Sequence, residues 1–543
     1  MNTRTRQGAR LLVRCSWLCS LLAVAGGCGD NLAAGGSGDD TTDDPTLVKI
    51  ESGPVQGSII GTSRQFLGIP YARPPVGDLR WKAPQKPDPW TAVRSAVDFG
   101  KRCAQLANLT LQNAASNDED CLYLNVWTPT PAPTKAPVMI WIHGGGNING
   151  STSELVPFIN SGLFYTGELL AENHGVIVVS LNYRLGVFGF FEHPDLVAEG
   201  SSGNQGLLDQ QLAMRWVHDN IAKFGGDPAN VTIFGESAGS LDVCFHVAAP
   251  TSGGLFQRAI SESGGCTTKQ QTKAAAQTAG ATFATDVGCT GAGALACLRG
   301  KSATELMAST DVAKGIGFGP DVDGQFLTDQ PRTLYDAGHV NKVPYLLGSN
   351  TDEGTLFLGG VKVTNATEYT AALTTMFGAG APAVEAHYQM TSFANALPSA
   401  AEAALARVIG DSRLVCTTFD SATRMAHTGA PVFMYNFDIP VPTSVLPPGV
   451  YLGASHGSEL TSVFGTSPLF AIDTQGKAAS DQIQRYWTNF ARTGDPNGGA
   501  DPTWPAFTES ANVRLNLALQ ATVVNDFRAT ECGFWRASYA TQF

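Results

Sequence analysis

Six short apolar runs punctuate the chain: Val138–His143, Val176–Asn182, Val231–Phe234, Arg258–Ser261, Val343–Gly348 and Val432–Phe437. β-branched residues recur in them and turn residues bound them, so each reads as a buried strand. Helical patterns lie between. Leu207–Phe224 places Leu207, Leu208, Leu212, Met214, Trp216, Val217 and Ile221 at near-helical spacing and stops at Gly225-Gly226-Asp227-Pro228. Ser480–Arg492 is a second such stretch, stopped by Thr493-Gly494-Asp495-Pro496. Strands alternating with helices predict an α/β fold, a mostly parallel central β-sheet flanked by helices on both faces. Reactive groups on such sheets gather at the carboxyl ends of the strands.

A length of 543 residues leaves room for several domains. The motif spacing below argues instead for one α/β domain over residues 46–543. With 43% hydrophobic and 15% charged residues there is ample material for a large core. A formal net charge of -12 repels polyanions, which excludes a nucleic-acid partner. No repeat of solenoid length is evident. The body of the chain holds no apolar run of about 18 residues, so it is not expected to cross a membrane.

The first residues read as an address. Arg4, Arg6, Arg10 and Arg14 precede an apolar run from Trp17 to Ala25, the form of an export signal over residues 1–28. Ala25-Gly26-Gly27-Cys28 resembles a bacterial lipoprotein processing site, which makes Cys28 the candidate for lipidation and the only expected membrane attachment. The alternative is ordinary cleavage nearby, with Cys28 lost or idle. Residues 29–45 are Gly, Ser, Asp, Thr and Ala with few large apolar groups, and cannot offset their ordering entropy. They are expected to form a flexible tether, with regular structure beginning near Leu47.

Of 11 cysteines, Cys15, Cys19 and Cys28 belong to the export segment. Cys103, Cys121, Cys244, Cys266, Cys289, Cys297, Cys416 and Cys532 remain. An even set in an exported chain favours disulfides, whose connectivity spacing alone cannot fix. No CxxC pair or Cys/His cluster is present, so no structural metal is expected.

Two glycine motifs follow predicted strands directly. Gly235-Glu236-Ser237-Ala238-Gly239 comes after Val231–Phe234 and before a helical stretch, the context of a strand–turn–helix nucleophile elbow with Ser237 at its tip. The turn is so tight that its neighbours must lack side chains. Trp141-Ile142-His143-Gly144-Gly145-Gly146 follows Val138–Ile142. Its glycines let backbone N–H groups approach a reacting carbonyl. The Gly145, Gly146 and Ala238 amides would form a three-donor oxyanion hole. A phosphate-binding glycine turn is disfavoured, because the P-loop Lys and the dinucleotide glycine spacing are missing.

A Ser hydroxyl needs a base, and in this order of elements the acid and then the His follow it. Of 9 histidines, His246, His339, His387, His427 and His456 come after Ser237. His246 is too close to fold back, and His387 and His427 sit in surface helical patterns. His339 precedes the strand expected to carry the acid. His456 lies in the small-residue loop Gly453-Ala454-Ser455-His456-Gly457 after Val432–Phe437. For the acid, Asp352 and Glu353 both sit at the right end of a strand, and position does not choose between them. Glu236, beside the nucleophile, either tunes the pocket or is a buried hydrogen-bonded carboxylate.

These residues resemble the type-B carboxylesterase family, which includes cholinesterases, para-nitrobenzyl esterases and some fungal lipases, within the α/β-hydrolase superfamily. The resemblance runs from about Leu47 to Phe543. It rests on Gln65-Phe66-Leu67-Gly68-Ile69-Pro70-Tyr71-Ala72, on Glu119-Asp120-Cys121-Leu122-Tyr123-Leu124-Asn125, and on the stretch from Asn204 to Gly239. It implies a serine carboxylesterase acting on small-molecule esters through Ser237, Glu353 and His456, with no cofactor. It also implies the pairs Cys103–Cys121, Cys289–Cys297 and Cys416–Cys532. Cys244 and Cys266 have no counterpart and are expected to pair with each other. The chain departs from cholinesterases between Cys103 and Cys121, where no Trp, Tyr or Phe stands to stack a choline cation. Asn147 and Ile148 replace a common aromatic after the glycines, which is expected to alter the acyl pocket. A non-hydrolytic binding or adhesion protein on this fold is the competing class, and the intact triad argues against it. Lipase and polyester hydrolase share the same machinery.

Overall fold

In the computed structural model the alternating apolar runs become neighbours in one 11-stranded sheet. In chain order its strands are β1 (Ser58–Ile60), β2 (Ser63–Pro70), β3 (Tyr123–Pro129), β4 (Ala136–Ile142), β5 (Ile177–Leu181), β6 (Gly226–Glu236), β7 (Arg258–Glu262), β8 (Tyr345–Asn350), β9 (Val432–Phe437), β10 (Val513–Leu517) and β11 (Thr522–Asn525). Their spatial order is β11-β10-β9-β8-β7-β6-β4-β5-β3-β2-β1. From β10 to β5 every neighbouring pair is parallel, and both edges are antiparallel. The structure describes residues 44–539 apart from 108–113, 156–161, 202, 310–316, 359–361, 397 and 467–473. The export signal, Cys28 and residues 29–43 of the expected tether lie outside the described residues. Pro45–Phe543 forms one unit, and its first strand is Leu47–Ile50.

The parallel strands are near-continuous apolar runs because both faces are covered. All residues of β4 and β5 are buried. Alternate residues of β4 serve different cores: Val138, Ile140 and Ile142 pack with Leu207, Met214 and Val217, whereas Met139 and Trp141 pack with Ile483, Trp487 and Phe490. The first set lies on helix α1 (Gln205–Asn220), which a 3-10 turn extends to Gly225 at φ 96°. Further along come α2 (Ala238–Ala248), α3 (Ala400–Gly410), α4 (Cys416–His427), α5 (Thr474–Thr493) and α6 (Ala529–Ser538). The second set, Ile483, Trp487 and Phe490, lies on α5. A π-helical turn, Asp411–Val415, joins α3 to α4.

β6 begins at Gly226, five residues before its apolar run, because Ala136 on β4 pairs with Gly226. At the other end Ile142 pairs with Gly235, and Glu236 with Glu262. The loops after β4, β6, β7, β8 and β9 therefore emerge at one edge of the sheet. Four disulfides are present: Cys103–Cys121, Cys244–Cys266, Cys289–Cys297 and Cys416–Cys532. Cys244–Cys266 ties α2 to the segment after β7, and Cys416–Cys532 ties α4 to α6.

Candidate active site

Ser237 stands between β6 and α2 at φ 57° and ψ -120°, a conformation that side-chain-bearing residues avoid. The flanking glycines make this turn physically feasible. A Cβ on Gly239 would come 2.0 Å from the Ile142 carbonyl oxygen, and one on Gly235 would come 2.6 Å from Gly239. Ser237 is the N-cap of α2, yet its hydroxyl makes no capping bond. The residue is half-buried, and among the described residues no hydrogen bond engages its hydroxyl.

The glycine loop after β4 runs beside this residue: a Cβ on Gly144 would lie 3.0 Å from Ser237 Cβ. Gly145 and Gly146 have φ of 105° and 66°, and the Ile148 and Asn149 amides close the turn onto the Gly145 carbonyl (3.2 and 3.0 Å). The Gly145 and Gly146 amides donate to no carbonyl among the described residues. Ala238, first residue of α2, has an amide without an intrahelical partner. The three expected donors thus come from two segments that meet at Ser237.

Glu353 opens a 3-10 turn after β8. Its Oε1 accepts from the Asn350 amide (2.7 Å), and its Oε2 lies 2.6 Å from His456 Nδ1. Asp352, the other acid that position allowed, turns away. Its Oδ2 accepts from the Ala454 amide (3.1 Å), and its own amide donates to the Ala454 carbonyl (2.9 Å). Asn350 Nδ2 donates to the Ser455 carbonyl (2.7 Å) and Thr355 Oγ1 to that of Leu452 (2.6 Å). The loop bearing the acid and the loop bearing the imidazole are thereby stitched together. Gly453 allows it, since a Cβ there would fall 2.1 Å from Asp352 Oδ2.

On its far side the imidazole meets the elbow. His456 Nε2 is 3.1 Å from Glu236 Oε1, but neither atom has a hydrogen-bond partner among the described residues. The ring therefore reaches the residue next to Ser237 without closing a bond to its hydroxyl. Hydroxyl–imidazole bonds are often long before substrate arrives. Burial opposes a charge on His456, yet Glu236, Glu353 and Glu459 outweigh it and hold the ring well above its ordinary value. Burial also raises Glu236, and the neighbouring Glu353 charge adds to that. The two groups thus compete for a proton.

A model of the carboxylesterase family matches residues 44–535. The chain belongs to the carboxylesterase family. A mouse (Mus musculus) protein named Cholinesterase is 37% identical to it over 541 aligned residues, covering 92% of this chain and 88% of that protein.

Several features of this carboxylesterase-family site escaped the sequence. Glu262 and Glu459 are fully buried behind His456 and Glu236. Glu262 accepts from Trp487 Nε1 (2.8 Å), and burial pushes it up to about 8. Glu459 accepts from Asn350 Nδ2. Glu262 ends an apolar strand, which was an available signal, whereas Glu459 follows the small polar loop of residues 453–458 and carried none. The Phe357 ring lies 4.9 Å from the His456 ring and is 43% exposed, so it shields the imidazole from one side. Asn147 does not turn into an acyl pocket. It is buried and bonds Asp242 and Tyr183 beneath the glycine loop. The other four histidines that follow Ser237 make no bond to it: His246 is buried on α2 and bonds Gln210 and Ser252, His387 stacks on Phe534, His427 pairs with Glu509, and His339 is exposed. Among the described residues no group of three or more His, Cys, Asp or Glu could hold a metal ion, and no helix is long and apolar enough to cross a membrane.

Proposed function

We propose that the protein is a type-B serine carboxylesterase that hydrolyses small-molecule carboxylic esters through Ser237, His456 and Glu353. The observation that carries this reading is the 2.6 Å Glu353–His456 contact, on the ring whose other nitrogen is unengaged beside the elbow. His456 takes the Ser237 proton as Oγ attacks the ester carbonyl. Glu353 holds the proton on Nδ1, leaving Nε2 as the acceptor, and stabilises the imidazolium that forms. The oxyanion settles on the Gly145, Gly146 and Ala238 amides. The alcohol leaves with the proton from His456. Water, deprotonated by the same ring, then cleaves the acyl-enzyme and restores Ser237.

Family membership supports an ester hydrolase, and the choice of ester rests on the loop between Cys103 and Cys121. That loop offers no aromatic face to a quaternary ammonium, so uncharged acyl esters are the proposed substrates. Four disulfides fit an oxidising, extracytoplasmic compartment. The N-terminal pattern supports export, with Cys28 lipidated at the end of a tether. Mass spectrometry of the mature N-terminus tests the anchor: a diacylglyceryl group on Cys28 supports it, and another mature N-terminus rules it out.

Turnover of short-chain nitrophenyl esters by Ser237→Ala tests the chemistry. A fall of several orders of magnitude is expected, and wild-type turnover would overturn the assignment. A panel of acyl lengths, including an insoluble ester and a choline ester, tests the substrate class.

A further inference from the structure

The strand pairing that joins the two halves of the oxyanion site ends at Ile142 and Gly235. Beyond it the loop and the elbow stay close through Gly144, where a Cβ would lie 3.0 Å from Ser237 Cβ, and three residues on one side chain hydrogen-bonds the loop to the nucleophile helix. Asn147 is 4% exposed and sits at φ 59°, a left-handed conformation that Asn adopts more readily than other side-chain-bearing residues. Its Nδ2 donates to Asp242 Oδ1 on α2 (2.9 Å). Its Oδ1 faces the Tyr183 hydroxyl (2.9 Å), whose single proton is shared with the His143 carbonyl (2.9 Å). Its own carbonyl accepts from the Gly186 amide (2.7 Å).

Asp242 follows the nucleophile by little more than one helical turn and is fully buried. Its second oxygen accepts from Gln210 Nε2 on α1 (2.6 Å). Gln210 Oε1 meets His246 Nε2 (2.9 Å), and His246 Nδ1 meets Ser252 Oγ (2.9 Å). A continuous, satisfied polar chain thus runs under the oxyanion loop and along the nucleophile helix. Burying a carboxyl is costly unless its bonds matter, and burial pushes this one up to about 7. If position 147 needed only filling, an apolar residue would serve without calling for a buried acid opposite.

We infer that the Asn147–Asp242 bridge sets the spacing between the Gly145 and Gly146 donors on one segment and the Ala238 donor on the other. Asn147 and Asp242 are then positioning residues for acyl transfer. The inference rests on the acyl-transfer reading above and deepens it. Neither side chain touches the ester; each acts through the backbone amides it anchors.

Asn147→Gly is the cleanest test, because glycine keeps the left-handed backbone and deletes both side-chain bonds. Asp242→Ala, the double variant and Asp242→Asn complete the set, each checked for folding by thermal unfolding. A nitrophenyl butyrate gives kcat and KM, and a trifluoromethyl ketone reports the tetrahedral oxyanion. Asn147→Gly and Asp242→Ala are each expected to lower kcat by about 10- to 100-fold, the scale of a donor displaced by about 1 Å, with KM nearly unchanged. The ketone's inhibition constant should rise by the same factor. The double variant should be no slower than the slower single one. Asp242→Asn should recover most of kcat, since its carbonyl still accepts from Asn147 and a turned Gln210 amide still pairs. Wild-type kcat in Asn147→Gly, a loss confined to KM, or fully additive losses would overturn the bridge. Should Asp242→Ala not fold, Asn147→Gly decides alone. Loss of activity in Ser237→Ala with full kcat in Asn147→Gly refutes only the bridge; full activity in Ser237→Ala refutes the parent reading.

Discussion

Glu353 Oε2 lies 2.6 Å from His456 Nδ1 across a sequence separation of 103 residues. Glu353 is held in place for this contact. Glu353 is anchored through its other oxygen by Asn350, and a Cβ on Gly410 would fall 3.1 Å from Glu353 Cβ, so α3 closes against the acid. The contact fixes which imidazole nitrogen can act as a base.

Replacing Glu353 by Gln should therefore leave the fold intact and cut kcat by about a thousandfold or more, because the amide does not enforce the tautomer or stabilise the imidazolium. Asp352→Asn should cost much less, since an amide oxygen can still accept from Ala454. Steady-state kinetics on both variants check the choice between neighbours. Comparable losses would mean that the acid is not specifically Glu353.

Glu236 offers a pH experiment. Its carboxylate, 3.1 Å from His456 Nε2, is the first of the charges that keep a proton on the ring. Removing that charge as Glu236→Gln lowers the imidazole pKa, so the neutral base persists to lower pH. The acid limb of the kcat/KM profile, which reports the free enzyme, should move to lower pH by a unit or so, on the scale of about 1.4 kcal/mol of lost interaction. A limb that stays in place or moves up would show that Glu236 does not face the working base.

The parallel core was legible in the sequence for one reason: both faces of these strands are covered, so β4, β5, β8 and β9 read as near-continuous apolar runs, interrupted by Ser180, Gly348-Ser349-Asn350 and Asn436. The antiparallel edges were not. β1, β2, β3, β10 and β11 are short, carry polar residues or face solvent, and their pairing comes from long-range neighbours rather than composition. At the candidate site, glycine spacing pointed to the tight turn at Ser237 and to the glycine loop beside it because steric demands are local. The Asn147–Asp242 bridge was invisible because each member is unremarkable alone. Asn147 looked like a lost pocket aromatic, and its partner lies 95 residues away on another element.

Gly239→Ala separates local from tertiary demand. Within α2 alone, alanine would favour the helix by about 0.8–1 kcal/mol. Here its Cβ would meet the Ile142 carbonyl oxygen at 2.0 Å, a backbone atom that cannot swing aside. Net destabilisation of about 1–3 kcal/mol is expected, with loss of esterase activity because β4 and the elbow must part. A thermal shift upward in this variant would contradict the close approach.

Away from the site, Asp321 sets a stability trend with pH. Both its carboxyl oxygens are buried with no side-chain partner among the described residues, and Glu192 Oε2, likewise without a hydrogen-bond partner among them, approaches the same glycine, Gly203. Burial first, then Asp323 and Glu192, push its pKa up to about 8. The unfolded chain releases this proton near pH 4, while the folded chain keeps it to about 8. Between those values the native state holds more protons, so stability falls as pH rises. Asp321→Asn removes that term and keeps an oxygen where the acid stood. The fall in unfolding temperature between pH 5 and pH 8 should shrink in the variant, by the equivalent of about 1–3 kcal/mol. An unchanged fall would mean that Asp321 is ionised in the folded protein at neutral pH, with a counter-charge supplied from elsewhere.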